Sequence, residues 1–128
     1  RQNWDSLHDR ITAAVTHAAS EAAVDIGASA ILCCTNTGRS ARALARFRPE
    51  MELVALSPHQ RTVNSLALSW GVAPIKVDDF GTEMVSLSVA TALERGLVRP
   101  GDNALVLAGA GDRDSTTAAN AMRVVSVR

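Results

Sequence analysis

Cysteine, proline and aromatic residues are all scarce in this chain, and neither sign of charge prevails. The only cysteines are Cys33 and Cys34. Being adjacent, they point to opposite faces if they lie on a strand. Two such thiols cannot build a disulfide framework or a Cys-rich zinc site, and a cytoplasmic location is expected. Lysines and arginines number 13 and acids 13. With no net field to draw the chain to nucleic acid or an anionic membrane, neither is expected as a partner. No apolar run approaches the roughly 20 residues that span a bilayer, and no secretory signal opens the chain. His8, His17 and His59 are too scattered to hold a metal, so no metal site is expected.

What is present is globular. Hydrophobic residues make up 47% of 128 positions and charged residues 20%, enough for a core without staples. The chain opens on Arg1. Residues 1–128 are expected to form a single domain of a longer polypeptide.

Periodicity divides the chain into alternating elements. Leu7, Ile11, Val15, Ala18, Ala22 and Ile26 recur at helical spacing, and Gly27 suits the helix C-terminus. Ala30–Cys34 is a short apolar run, expected to be a strand buried on both faces. A short helix over 41–46 stops before Pro49. Residues 52–56 form a second strand. Ser57, Pro58 and Gln60 then resemble a capping box opening a helix whose inner face would carry Val63, Leu66 and Trp70. Trp4 and Trp70 are both expected to pack inside. Residues 73–77 make a third strand, a helix runs from Gly81 to about Arg95, and 103–108 form a fourth strand. A polar loop and a fifth strand over 122–127 complete the chain. The expected fold class is α/β: a three-layer αβα domain on a mostly parallel five-stranded sheet. No helix separates the last two strands, so the fifth strand returns antiparallel on an edge.

The segment Thr35-Asn36-Thr37-Gly38-Arg39-Ser40 carries the strongest chemical signal. It joins a buried strand to a helix start, where unpaired amides and the helix dipole attract anions. Gly38 permits close backbone approach, and the hydroxyls of Thr35, Thr37 and Ser40 can donate, which makes a phosphate cradle. The plainer reading is that Thr37 or Ser40 caps the helix. Ligands of open α/β sheets bind beyond the strand carboxyl ends, where the winding reverses. If the first and fourth strands are neighbours, the loop after the fourth strand flanks the same crevice. That loop offers Gly109, Ala110, Gly111, Arg113, Ser115, Thr116 and Thr117. No Gly-x-Gly-x-x-Gly follows the first strand, so a dinucleotide is not expected.

A competing reading is enzymatic. Cys33 and Arg39 have the Cys-x5-Arg spacing of phosphatases in which a thiolate attacks phosphorus. Against it stand the placement of Cys33 inside an apolar run, which suppresses ionisation, and the lack of an Asp-Pro acid loop.

Thr35–Ala41, followed by Ala45-Arg46-Phe47-Arg48-Pro49, resembles the effector-phosphate loop and next helix of pyruvate kinase C-terminal domains. So do Val54-Ala55-Leu56, Arg95-Gly96-Leu97 before Gly101-Asp102, and Asn120–Val125. The resemblance runs collinearly over essentially the whole chain. It implies an allosteric and subunit-association domain beside a barrel that transfers phosphoryl between phosphoenolpyruvate and ADP in glycolysis. The catalytic residues and the magnesium and potassium sites would lie in that barrel. This chain alone would then hold no catalytic residue and no cofactor, and would be inactive. Residues 35–40 would hold one effector phosphate and the 109–117 loop would close over the rest. Met84 aligns where bisphosphate-activated members carry a basic residue, and Asp112 and Asp114 would repel a second phosphate. The expected effector is therefore a sugar phosphate or a nucleotide monophosphate rather than fructose 1,6-bisphosphate. The expected assembly is a homo-oligomer, a tetramer in the parent enzyme. A third reading keeps only the association role, with a vestigial effector loop.

Overall fold

The computed structural model describes residues 4–80, 83–108 and 121–128. The elements run α1 (Trp4–Asp25), β1 (Ala30–Cys34), α2 (Arg39–Arg46), β2 (Glu52–Ser57), α3 (Gln60–Leu66), β3 (Val72–Lys76), α4 (Met84–Glu94), β4 (Asn103–Ala108) and β5 (Ala121–Ser126). One five-stranded sheet has the order β3-β2-β1-β4-β5. The first four strands are parallel, and β5 returns antiparallel to β4. The α/β class, the strand count and the antiparallel last strand agree with the sequence reading.

Two apolar layers sandwich the sheet. Ile31, Cys33, Leu53, Ala55, Leu105 and Leu107 face α1, α2 and α3. Leu32, Cys34, Val54, Leu56, Ala104 and Val106 face α4. The central strands are buried on both sides, which explains why β1 and β4 are unbroken apolar runs. The edges differ: β3 carries Pro74, a residue confined to sheet edges because it cannot donate to a ladder.

Three local expectations are corrected. The buried line of α1 is Thr12, Thr16, Ala19 and Ala23, whereas Ala18 is exposed and Val15, Ala22 and Ile26 only flank the core. Small residues let α1 settle closely on α2 and β4. Thr16 can be buried because its hydroxyl donates to the Thr12 carbonyl at 2.7 Å. Gly27 does close α1: at φ 66 it permits the turn in which Ala28 N donates to Ala23 O at 2.9 Å.

The helix after β2 is the second correction. Ser57 is the last residue of the strand and fully buried, not a helix cap, and α3 begins only at Gln60 with His59 preceding it. Ser57 Oγ instead accepts the His59 amide at 3.2 Å. The third is Trp70. Because α3 ends at Leu66, the chain has left the helix before it reaches Trp70, which is 82% exposed rather than packed inside. Its ring lies 5.9 Å from the Arg48 guanidinium carbon, a cation–π pair. The side chain of Trp4 lies outside the description, as does the Gly81-Thr82 opening expected for α4.

Candidate functional site

The loop at residues 35–40 leaves the carboxyl end of β1. In the sheet, β1 lies between β2 and β4. Successive connections carry the chain outward from β1 to β2 and β3, and the next crosses back to β4. The loop therefore stands where the winding reverses, the place at which open α/β sheets bind ligands. Cys34 pairs with Ala108, so β1 and β4 end side by side. The expected effector-loop residues Gly109, Ala110, Gly111, Arg113, Ser115, Thr116 and Thr117 lie outside the described residues.

Gly38 is the pivot. Its φ of 88 is left-handed, and it stands as the N-cap of α2. A Cβ there would sit 2.7 Å from Arg42 Nη1 and 3.3 Å from Leu66 Cδ2. The torsion is what favours glycine, since the Arg42 tip can swing away and Leu66 would have to give only slightly. Arg39 and Ser40 fall within the first helical turn, two residues earlier than the sequence suggested. Neither Thr37 nor Ser40 occupies the cap position.

The loop is braced from within. Thr35, 1% exposed, accepts the Gly38 amide on its hydroxyl oxygen at 2.8 Å. Its own amide donates to Leu56 O at 2.9 Å. Thr37 Oγ1 accepts the Arg39 amide at 3.3 Å, and Arg42 Nη2 donates to Thr37 O at 3.1 Å. A contact that sequence reading missed comes from α3, where Thr62 Oγ1 donates to Asn36 O at 2.6 Å.

The ring of donors is consequently smaller than the sequence suggested. The amides of Thr35, Gly38 and Arg39 are engaged inside the protein. The amides of Ser40 and Ala41, the next of the first helical turn, have no acceptor among the described residues. Thr37 and Arg39 are exposed, Asn36 is half-buried, and Ser40 is 3% exposed. Among the described residues no carboxylate pairs with Arg39 or Arg42. Helix dipole and guanidinium charge therefore favour an anion here. Such an arrangement can bind and orient an anion.

The cysteines lie beneath the loop, not in it. Cys33 is fully buried in the apolar layer under α1 and α2, which leaves the Cys-x5-Arg reading without an accessible thiolate. Cys34 faces the other layer, with Sγ 2.9 Å from Ser88 Oγ. Either atom can donate across that contact, and Ser88 Oγ also lies 2.7 Å from the Met84 carbonyl, an alternative acceptor for its proton. Burial pushes the Cys34 thiol up to about 11, a rise that the bond to Ser88 partly offsets. Among the described residues no three His, Cys, Asp or Glu side chains gather to hold a metal ion. Two open concavities of about 340 and 600 Å³ flank Trp70 at the amino ends of β2 and β3, opposite the loop.

Comparison with known proteins matches the chain to one family. Residues 13–125 match the model of "Pyruvate kinase, alpha/beta domain". A pyruvate kinase of Clostridium acetobutylicum is 46% identical over 90 residues, which is 69% of this chain and 19% of that protein. One from Staphylococcus aureus is 31% identical over 121 residues, 93% of this chain and 20% of that protein. The chain thus spans about a fifth of the length of these relatives. In structure it resembles a Cryptosporidium parvum pyruvate kinase solved in complex with ADP, with a TM-score of 0.80 and 23% identity, covering 99% of this chain and 28% of that one. No described helix is long and apolar enough to cross a membrane. The sheet order, the loop at its reversal point and these matches have one meaning: the chain belongs to the α/β C-terminal domain family of pyruvate kinases.

Proposed function

We propose that this chain is the regulatory domain of a pyruvate kinase and binds the phosphate of a small effector at residues 35–40. The observation that carries the reading is the α2 N-terminus. Among the described residues the Ser40 and Ala41 amides, at the winding reversal, lack acceptors and the neighbouring Arg39 has no carboxylate partner. Thr37, Arg39 and Ser40 contact the phosphate, while Asn36, Gly38 and Thr35 shape the turn that presents the amides. A sugar phosphate or a nucleotide monophosphate suits a cradle of this size, with residues 109–117 supplying contacts beyond the phosphate. Phosphoryl transfer between phosphoenolpyruvate and ADP belongs to the rest of the parent polypeptide. Binding here acts on that reaction by favouring one arrangement of subunits over another.

Calorimetry of the chain with hexose phosphates and with AMP tests this. Saturable heat is expected, weakened about tenfold or more by Ser40→Ala, since a hydrogen bond to a charged group is worth about 1.5–3 kcal/mol. Absence of any phosphate-dependent heat would sink the reading.

A second role, association with another copy of the chain, is supported by β5. This strand closes one edge of the sheet, and Met122 and Val124 on it are exposed. Unlike β3 it carries no proline to blunt pairing. Light scattering of the purified chain is expected to give a dimer or larger species that Val124→Asp dissociates. A monomer at high concentration would leave only the effector role.

A further inference from the structure

We infer that Thr62, on α3 and 26 residues away in sequence, is the positioning residue that sets the aim of the 35–40 loop; the inference rests on the phosphate-binding reading above. The Thr62 hydroxyl donates to the Asn36 carbonyl at 2.6 Å. Thr62 is 8% exposed, so water competes little for that bond. The carbonyl of Asn36 and the amide of Thr37 belong to one planar trans peptide. Fixing the oxygen toward α3 therefore fixes the Thr37 N–H on the opposite side, away from α3.

One helical turn later the same face of α3 touches the loop again. Leu66, fully buried, lies 3.3 Å from where a Gly38 Cβ would stand. Positions 62 and 66 are neighbours on a helix surface, so α3 meets the loop at one polar and one apolar point. Arg42 approaches Gly38 too and donates to the Thr37 carbonyl. The turn from Asn36 to Gly38 is thereby held at Asn36 O, Thr37 O and the Gly38 Cα, and α2 starts from that fixed turn. All three of these holds reach to α3 or to Arg42 rather than to the loop itself. The orientation of the Ser40 and Ala41 amides then depends on a hydroxyl that would touch no ligand. Preorganisation of this kind appears as affinity, because the ordering is done before the anion arrives.

The test uses the 128-residue chain with inorganic phosphate as probe, read in 1H–15N spectra at the Ser40 and Ala41 amides. Wild type is expected to show saturable shifts. Thr62→Val, which keeps the shape and removes the hydroxyl, is expected to weaken phosphate about tenfold. Thr62→Ser, which restores the donor, should return the dissociation constant to within about twofold of wild type. A Thr62→Val chain that binds phosphate as tightly as wild type overturns the inference and leaves the phosphate site standing. If wild type itself gives no saturable shift, the phosphate reading falls, and the positioning role is decided in ligand-free spectra. There, Thr62→Val must move the Thr37 and Gly38 amide resonances and Thr62→Ser must restore them, and unmoved resonances overturn it. If Thr62→Val does not fold, wild type decides. A Thr62 hydroxyl proton that exchanges slowly and shows a cross-peak to Asn36 supports the bond, and a rapidly exchanging one overturns it.

Discussion

Leu66 and Leu68 are two residues apart, yet one is fully buried and the other 90% exposed. They mark the two ends of the sheet. At the carboxyl end, α3 begins beside the 35–40 loop, bonds it through Thr62 and packs Leu66 beneath Gly38. At the amino end the chain leaves α3 and presents Leu68 and Trp70 outward, with Arg48 over the indole. One end is therefore locked by contacts from distant parts of the sequence, and the other leaves large apolar side chains outside. On the phosphate-binding proposal such a loop needs fixed geometry, which single hydrogen bonds in water do not provide. The carboxyl end obtains it from buried bonds and close packing.

The largest effect that sharpens the contrast is expected at Leu66. Leu66→Ala opens a cavity under the loop and is expected to cost about 2–5 kcal/mol in chemical denaturation. Comparable stability in the variant would mean that α3 does not support this end.

The next effect concerns Cys34, the last residue of β1 before the loop. Its thiol, ordinarily near 9.0, is raised to about 11 in the folded chain. Below pH 9 both folded and unfolded chains keep the proton. Above it the unfolded chain loses the proton first, so the folded state loses stability as pH rises from about 9 to about 11. The loss is on the order of 2–3 kcal/mol across that window. Cys34→Ala is expected to flatten that part of the stability profile. An unchanged slope would show that the thiol is solvated in the native state.

The smallest effect is expected at the other end. Leu68→Ala and Trp70→Ala should each change stability by no more than about 0.5 kcal/mol, as surface substitutions do. A loss above about 1 kcal/mol from Trp70→Ala would mean that the Arg48 pair and the neighbouring concavities are structural, and that the two ends are less different than their exposures indicate.

The course of the chain was legible because it depends on near neighbours. The buried run Ala30–Cys34, the glycine closing α1 and the missing helix between β4 and β5 each state a local rule. Errors arose where a residue's partner is remote or its polarity misleads. Thr12 and Thr16 lie off the apolar stripe that the sequence marks on α1, yet both are buried, and Thr16 satisfies its hydroxyl on the helix backbone. Trp70 read as core because an apolar residue at helical spacing gives no sign that the helix has already ended. Thr62 was passed over because its partner, Asn36, lies in another element.

The sequence by itself determined the α/β alternation, the antiparallel last strand and, through its resemblance to known members, the family. The alternation and the last strand follow from period, glycine placement and residue order, all of which act over a few neighbouring positions. Only the tertiary structure decided which loop amides find no acceptor among the described residues, and that α3 holds the loop from the side. Those depend on distances between residues far apart in the chain, which a linear pattern does not contain.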